Sequence, residues 1–567
     1  MKKRRIVGND SCGLVRFLIR FYTIAYYAYI IDDNLPRKKI TVVIKQGTLE
    51  GLCYETRLLK KPYARFLGIP YAKPPIDDLR FKPPVEHPGW LGTLRAFSEK
   101  NKCMQYTLMT NKIVGSEDCL YLNVFMPQEE PKEKKAVMVF IHGGAFNFGS
   151  GSLDEYSPHY LLDENVIVVT INYRLNVLGF LNFDIDDCPG NMGLEDQLLA
   201  LKWVKANISE FGGDPNNITI FGESAGAASV HCHILSPSSK GLFQRAIMQS
   251  GSMFNTWALN LKHREEAFNF AKKLGCEEDD PTEIIKYLKN VSAVNLLEAS
   301  KYEDENDFLR YKFLPTIQCN TVRNPFLPTH PENLVETAPS LPVINGVNNM
   351  EGLISLAGYR MPKIINLHKP EEIRKFLGHE YSEEAVNKVK TFYFNERNIE
   401  NEITKLENIC NLYTDRYFVK DFHRSFNHLL KRGDGTSVYY YEFKFDGNIN
   451  VCKNLIFYSR PELRKSLKGA CHADELNYLF YGTHFGFAPK DNSPEMRMCK
   501  IMSTLWSNFA KTGDPNSPSG LEFTWTNTTE DVPKYLSIDE DNTRMVDGLL
   551  YGSRVNFWEE LSKSSSV

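Results

Sequence analysis

After about residue 40 the chain shows two alternating patterns of apolar and polar positions, one typical of buried strands and one typical of helices. Residues 136–141 and 166–171 are continuous apolar runs, typical of strands buried on both faces of a parallel sheet. Residues 193–208 instead place Leu194, Leu198 and Leu201 on one helical face. Strands alternating with helices in this way predict an α/β fold with a mostly parallel central sheet flanked by helices.

Further strands are expected where β-branched and aromatic residues lie between turn signals. They cover residues 40–44, 66–72, 116–124, 218–221, 245–249, 341–346 and 438–443. Neither a linker nor an internal repeat divides this series of elements. We therefore expect one large domain over residues 41–560, preceded by a separate segment over residues 1–40.

The N-terminal segment combines basic and apolar residues. Four basic residues precede an apolar stretch over residues 14–31, which Arg16 and Arg20 interrupt. No small-residue cleavage site follows it, and the uninterrupted part is too short to span a bilayer. The pattern predicts a basic amphipathic helix that lies on a membrane or lipid surface. A helix packed on the protein itself and a secretory signal sequence are the alternatives.

Composition narrows the function classes. The 567 residues carry a net charge of −3, so nothing in the charge indicates a nucleic-acid partner. The twelve cysteines lack C-x-x-C spacing, so no zinc site or dithiol redox motif is expected. Few of the cysteines suggest pairing, which favours an intracellular protein, cytoplasmic or peripheral to the endoplasmic reticulum or lipid droplets. Secretion is the alternative, and the N-glycosylation sequons at Asn207, Asn217, Asn290 and Asn527 would matter only in that case.

A nucleophile elbow is indicated by residues 218–230. A β-branched apolar run leads into Gly222-Glu223-Ser224-Ala225-Gly226, and small residues suited to a packed helix follow. This context is the strand–turn–helix that exposes a strained serine at the top of an α/β-hydrolase sheet. The amide of Ala225 would then face an oxyanion formed at Ser224.

A serine nucleophile needs a base, an acid and oxyanion donors, and in this fold the acid and the base follow the serine. Gly144 and Ala145, directly after the apolar strand at 136–141, are candidate amide donors. His472, among small residues at 469–473, is a candidate base that we expect to titrate near the ordinary histidine pKa of about 6.5. Glu351, in the loop after the strand at 341–346, is a candidate acid. A structural histidine and an unrelated surface acid are the alternatives for these two positions.

Several motifs resemble the carboxylesterase/cholinesterase family, also called type-B carboxylesterases, and most of all its insect α-esterase branch. They are the stretches at 116–123, 172–174, 190–197, 211–229 and 512–516, and the resemblance covers nearly everything after residue 40. The resemblance implies an α/β-hydrolase fold and a serine esterase that uses no metal or cofactor. It also implies that organophosphates react with the serine of this enzyme. It also implies that Ser224 is the nucleophile, Glu351 the acid and His472 the base.

The resemblance assigns further residues. Gly144, Ala145 and Ala225 would supply the oxyanion amides, although the family more often has glycine at the position of Ala145. Arg80 would pair with Glu117, and Arg174 with Asp196. Cys103 and Cys119 match a family disulfide, whereas Cys276 lacks the partner of a second family bridge.

Three functions compete within this resemblance. An inactive adhesion or scaffold protein typically loses the serine or the histidine, and this chain retains both. Cholinesterases carry a tryptophan in the loop before the 116–123 motif, whereas residues 104–118 contain none here. Juvenile hormone esterases usually have glutamine where Glu223 stands. The sequence therefore favours a general carboxylesterase for small-molecule esters, with Trp257 limiting the acyl pocket and an ordinary core tryptophan as the alternative. A specialised lipid or hormone esterase is the other enzyme interpretation.

Overall fold

A computed structural model describes residues 37–107, 111–129, 133–301, 311–357, 365–378, 381–394, 400–431, 436–482, 489–517, 521–540 and 542–564. The amphipathic stretch predicted over residues 14–31 lies outside these described residues. The separate N-terminal segment and the domain bounds 41–560 therefore stay predictions.

One large twisted sheet runs through the described residues and contains thirteen strands. Twelve of them follow the order β1-β2-β3-β7-β9-β8-β12-β13-β14-β15-β16-β17, and β4 pairs with β2. Their bounds are β1 Lys39–Ile44, β2 Gly47–Glu55, β3 Pro62–Pro70, β4 Thr93–Arg95, β7 Tyr121–Pro127, β8 Lys135–Ile141, β9 Ile167–Ile171, β12 Gly213–Glu223, β13 Arg245–Gln249, β14 Val343–Asn348, β15 Val438–Phe443, β16 Lys534–Ile538 and β17 Arg544–Asp547. Two small hairpins complete the strands: β5 Gln105–Tyr106 with β6 Ile113–Val114, and β10 Asn182–Ile185 with β11 Cys188–Pro189.

The centre of the sheet is parallel and its two edges are antiparallel. Strand β8 pairs in parallel with β9 and β12, and the parallel series continues from β12 through β13, β14 and β15 to β16. All residues of β8 and β9 are buried, which is the physical reason for their continuous apolar sequences. The structure therefore confirms the predicted α/β class and the central strands.

Helices cover both faces of this sheet. Their bounds are His159–Asp163, Asn176–Phe180, Met192–Asn207, Ala225–Leu235, His263–Lys273, Pro281–Lys289, Ala293–Ser300, Pro331–Leu334, Pro370–Leu377, Glu383–Tyr393, Glu402–Thr414, Lys420–Leu430, Val451–Ile456, Pro461–Ser466, Pro494–Thr512 and Gly552–Ser564. Two buried apolar clusters fill the space between sheet and helices. A third, smaller cluster packs the helix Glu402–Thr414 against the loops that follow β14 and β15. Among the described helices, none combines the length and apolar character that crossing a membrane requires.

One predicted strand begins later than expected. The alternating pattern predicted a strand over residues 116–124, but β7 begins at Tyr121. The backbone of Ser116 instead donates to the carbonyl of Lys102, 3.0 Å away, outside the main sheet. Cys119, three residues further on, is joined to Cys103 by a disulfide with a Cα–Cα distance of 4.9 Å. The hydrogen bond and the disulfide hold residues 116–119 outside the main sheet, so the strand begins after them.

Candidate active site

Ser224 lies at the junction between β12 and the helix Ala225–Leu235. Its backbone has φ 56° and ψ −122°, a conformation that non-glycine residues rarely adopt. Its N–H donates to the carbonyl of Gln249 at the end of β13, over 2.8 Å. This is the strand–turn–helix geometry of a nucleophile elbow, and it stands at the carboxyl edge of the parallel strands.

Two glycines allow the elbow to pack against the end of β8. A Cβ on Gly226 would lie 2.0 Å from the carbonyl oxygen of Ile141, so no larger residue fits there. A Cβ on Gly143 would lie 3.2 Å from the Cβ of Ser224 and 2.7 Å from Oε2 of Glu223. The glycine-rich exit of β8 is therefore in direct contact with the serine.

The same exit presents backbone amides. Gly144 and Ala145 have φ values of 106° and 51°, and the turn is closed by the amides of Asn147 and Phe148 on the Gly144 carbonyl. Within the described part of the chain, the N–H groups of Gly144, Ala145 and Ala225 donate no backbone hydrogen bond. These three amides near Ser224 are therefore available to another acceptor.

Glu351 and His472 meet at this edge of the sheet. Glu351 is the first residue of the 3₁₀-helix Glu351–Leu356, directly after β14, and is fully buried. Its Oε1 accepts from the amide of Asn348 over 2.8 Å, which fixes the carboxylate. Its Oε2 lies 2.7 Å from Nδ1 of His472. An acid hydrogen-bonded to Nδ1 orients an imidazole and leaves Nε2 to accept a proton.

The other imidazole nitrogen faces a second carboxylate. Nε2 of His472 lies 3.0 Å from Oε1 of Glu223, the last residue of β12. Among the described residues, no hydrogen bond joins Ser224 to His472. The structure thus brings together the predicted acid and base, and it places the serine beside them without the expected hydrogen bond.

Electrostatics shift the titration of this group. Burial lowers the pKa of His472, but the carboxylates of Glu223 and Glu351 outweigh it and raise that pKa to about 10. Burial raises the pKa of Glu223 to about 8, so this carboxyl is neutral over part of the pH range and then adds no charge beside the imidazole. The net direction for His472 is upward, because both carboxylates and the hydrogen bond with Glu351 favour the charged imidazole. The expected titration near 6.5 is therefore wrong.

Glu475 connects the segment that carries His472 to the ends of two strands. Its Oε1 accepts from Nε2 of Gln249 over 3.1 Å, and its Oε2 accepts from Nδ2 of Asn348 over 2.5 Å. Oε1 of Gln249 in turn accepts from Nε1 of Trp506, 3.1 Å away. Burial raises the pKa of Glu475 to about 7. This network links the ends of β13 and β14 to the segment that carries His472.

Trp257 lies one ring away from His472. It is 4% exposed, and its Nε1 donates to the carbonyl of Tyr417 over 2.8 Å. Its ring centroid is 6.1 Å from that of Phe418, which is 4.7 Å from the His472 ring. Phe418 belongs to the π-helix Asp415–Val419, between two α-helices, and such turns are frequent at functional sites.

Three residues beside the imidazole were not found by sequence reasoning. No local signal marks Phe418, because a π-turn has no recognisable motif. Glu223 was visible inside the elbow motif, but nothing in the pattern placed it against the imidazole. Glu475 follows His472 closely in sequence, and only the fold shows that it contacts β13 and β14.

The other residues assigned by resemblance are also placed. Arg80 pairs with Glu117 and Arg174 with Asp196. Beyond the disulfide, nine described cysteines are free, including Cys276. In the part of the chain that the structure describes, no three histidine, cysteine, aspartate or glutamate side chains are grouped so that they could hold a metal ion.

An elbow serine, an acid–imidazole pair and unengaged amides at the carboxyl edge of a mostly parallel sheet define a serine hydrolase of the α/β-hydrolase fold. Residues 38–558 match the model of the Carboxylesterase family, and the chain belongs to that family. It is a carboxylic ester hydrolase of the type-B carboxylesterases.

Similar proteins include several insect esterases. The chain is 36% identical to Esterase FE4 of Myzus persicae over 527 residues, which cover 90% of each chain. It is 33% identical to the Juvenile hormone esterase of Tribolium castaneum, over 96% of this chain and 95% of that protein. A crystal structure of Juvenile Hormone Esterase from Manduca sexta, with OTFP covalently attached, superposes with a TM-score of 0.80 at 29% identity. That match covers 93% of this chain and 100% of the other.

Proposed function

We propose that Ser224, His472 and Glu351 form the catalytic triad of this esterase, with the amides of Gly144, Ala145 and Ala225 as its oxyanion hole. The observation that carries the proposal is the 2.7 Å contact between Glu351 and Nδ1 of His472, at the edge of the parallel sheet where β12 also ends beside Ser224. Residues 121 positions apart in the chain make this contact. It is the orienting half of a triad.

The reaction follows from these positions. The hydroxyl oxygen of Ser224 attacks the ester carbonyl while Nε2 of His472 takes its proton. The carbonyl oxygen becomes an oxyanion and accepts hydrogen bonds from the three amides. The C–O bond to the alcohol breaks, and the alcohol leaves with the proton from His472. Water, deprotonated by the same nitrogen, then attacks the acyl-enzyme and releases the carboxylic acid and Ser224.

One movement is needed before attack. Nε2 of His472 lies 3.0 Å from Glu223 and must be directed to the Ser224 hydroxyl. Catalytic hydrogen bonds are often long or poorly aligned until the substrate binds, and they tighten in the complex. We therefore expect the hydrogen bond between Ser224 and His472 to form when the ester occupies the site.

Substitution of the triad tests the proposal. Ser224→Ala and His472→Ala should each lower kcat for p-nitrophenyl acetate by several orders of magnitude, and the double variant should be hardly worse than either. Ser238→Ala, at an exposed serine, is the matched control and should leave kcat unchanged. An organophosphate should label wild type and the control at Ser224 and should not label Ser224→Ala. A single variant that hydrolyses the ester like wild type would contradict the triad.

The substrates we propose are small-molecule carboxylic esters with short, unbranched acyl groups. Trp257 and Phe418 support this, because two large rings beside His472 leave limited room for an acyl chain. A hormone-ester specialisation is the second candidate, favoured by the juvenile hormone esterase of Tribolium castaneum among the relatives. Initial rates on acetyl esters, butyryl esters and juvenile hormone itself separate the two, since a hormone esterase should prefer the last.

For the location of the protein, we propose an intracellular enzyme that contacts lipid surfaces through residues 14–31. Nine free cysteines among the described residues support a reducing compartment. The disulfide between Cys103 and Cys119 supports the secreted alternative. The oxidation state of this pair in protein isolated from its source, measured by thiol alkylation and mass spectrometry, separates the two.

A further inference from the structure

A buried lysine lies behind the segment that carries His472. Lys453, on the helix Val451–Ile456, has a side chain with no exposed surface. Its Nζ donates to Oδ1 of Asp446 and to the carbonyl of Gly469, each over 2.8 Å. Burying an ammonium group is strongly unfavourable unless it is paired and hydrogen-bonded. The ester-hydrolysis steps do not use this charge.

The partners of Lys453 hold the first residue of the His472 loop, which we define as residues 469–475. Gly469 accepts from Lys453 through its carbonyl and donates through its amide to Oδ2 of Asp446, 3.3 Å away. Both backbone polar groups of Gly469 are therefore engaged by one ion pair. Gly469 has φ 106°, which favours glycine at this turn.

The far end of the His472 loop is connected to the same lysine. Asp474 is fully buried, and its Oδ2 accepts from the amide of Cys471 over 2.8 Å. Its Oδ1 accepts from the backbone amide of Lys453 over 3.2 Å. Between them, Ala473 has φ 68°, an uncommon conformation for a residue with a side chain. The residues on both sides of His472 are thus held by Asp474 and Lys453.

Asp446 does not depend on Lys453 for charge compensation. Nη1 of Arg464 donates to Oδ1 of Asp446 over 2.7 Å. Removing the lysine charge therefore leaves the Asp446 carboxylate paired with a cation. What is lost is the hydrogen bond to the Gly469 carbonyl, which belongs to the His472 loop. On the opposite side, the loop is held by Ala470, which bonds to Asn349 and Met350.

We propose that Lys453 is a positioning residue for the reaction: by fixing the Gly469 carbonyl, it holds the His472 loop so that the imidazole faces Glu351 and Ser224. This inference rests on the proposed role of His472 as the base. Lys453 contacts neither substrate nor reacting atoms. A displacement of a catalytic group by about 1 Å lowers a rate by roughly 100-fold, which sets the scale of the effect.

Lys453→Met tests the proposal, because it keeps the length of the side chain and removes its donor. We expect kcat for p-nitrophenyl acetate to fall about 10- to 100-fold, with KM changed less than about 2-fold. The rate of phosphorylation by a dialkyl p-nitrophenyl phosphate should fall by the same factor. The far-downfield proton resonance of the His472–Glu351 hydrogen bond should broaden or shift. Lys465→Met, at an exposed lysine on the next helix, is the control and should change none of these.

A purely structural role predicts a different result. Lys453→Met would then lower the melting temperature while kcat, the phosphorylation rate and the imidazole resonance of the folded protein stay at wild-type values, which overturns the inference. If Lys453→Met does not fold, Asp474→Asn is used, because its single amide oxygen can accept from the backbone N–H of Cys471 or of Lys453 but not of both. The same fall in kcat is then expected, and an unchanged kcat in the folded variant overturns the inference. Failure of the proposed function is distinct: His472→Ala would then remain active. An inactive His472→Ala beside a fully active Lys453→Met rejects only the role of Lys453.

Discussion

His472 is held between two carboxylates, and this arrangement determines the pH at which the enzyme should work. Glu351 lies 2.7 Å from Nδ1 and Glu223 lies 3.0 Å from Nε2. A negative charge on either side favours the protonated imidazole, which cannot accept the proton of Ser224. Activity in wild type should therefore rise with pH through a midpoint above about 6.5.

Glu223→Gln should lower this midpoint. The amide removes one of the two charges that raise the pKa of His472, so the base form appears at lower pH. The measurement is kcat/KM for p-nitrophenyl acetate, corrected for uncatalysed hydrolysis, between pH 5 and about 11, a range that includes the raised pKa of His472 and reports the free enzyme.

Glu164→Gln is the matched control for this pH profile. The Glu164 carboxylate accepts from the hydroxyl of Thr504 over 3.2 Å and lies 3.8 Å from Nζ of Lys500, so its charge is engaged away from the imidazole. The midpoint of the pH profile of Glu164→Gln should equal that of wild type. An unchanged midpoint in Glu223→Gln as well would show that this carboxylate does not govern the base.

A substitution at Trp257 tests whether this side chain limits the acyl pocket. In Trp257→Leu the carbonyl of Tyr417 keeps a donor, because Nδ2 of Asn255 also bonds to it over 2.7 Å. The main loss is ring volume beside Phe418. We expect kcat/KM for branched acyl esters, relative to acetyl esters, to rise about 10- to 200-fold.

Trp90→Leu is the matched control for this prediction, since Trp90 is half-buried near β2 and bonds to the carbonyl of Thr48. The preference of Trp90→Leu among acyl esters should equal that of wild type. If Trp257→Leu loses stability while its acyl preference stays fixed, Trp257 is a core residue and other side chains bound the pocket.

At the scale of elements, the elbow depends on how closely the helix Ala225–Leu235 approaches the end of β8. Gly226→Ala places a methyl group 2.0 Å from the carbonyl oxygen of Ile141, and backbone on both sides prevents an easy shift. We expect a loss of about 3 kcal/mol or more in the free energy of unfolding, measured by denaturant titration. Gly482→Ala, where no described atom lies within 4 Å of the added methyl group, should change this free energy by less than about 0.5 kcal/mol. Equal stability of the two variants would contradict the close packing.

The π-helix Asp415–Val419 is the second element that shapes the site. Asp415 accepts from Nε of Arg554 on the C-terminal helix and from the hydroxyl of Tyr393. In this wider turn the carbonyl of Tyr417 accepts hydrogen bonds from the side chains of Trp257 and Asn255. The ring of Phe418 lies against the imidazole of His472. Two distant parts of the chain therefore stabilise one irregular turn beside the base.

At the scale of the whole molecule, the sequence predicts that catalysis and surface attachment are separate. Deleting residues 1–34 should leave kcat unchanged, because β1 begins only at Lys39. The same deletion should release the enzyme from membrane or lipid-droplet fractions, and high salt should weaken attachment of the full chain. Fractionation and activity measurements on both forms check this. Recovery of a glycosylated, N-terminally trimmed protein from culture medium would favour secretion instead.

The sequence by itself determined the central strands and the elbow at Ser224. These features depend on neighbouring residues: apolar runs predict buried strands, and glycines on both sides of a serine predict a sharp turn. Glu351 and His472 could be assigned only with the family resemblance, since an isolated acid or histidine carries no local signal.

Only the tertiary structure decided how these residues meet. Glu351 and His472 are 121 positions apart, and their contact depends on the parallel pairing that brings β14 and β15 side by side. The same packing placed Glu223 against the imidazole, Phe418 beside it and Lys453 behind its loop. The burial of a side chain and the electrostatic field on it depend on residues from many parts of the chain. The pKa of His472 and the shape of the pocket are therefore properties of the fold, which no local pattern encodes.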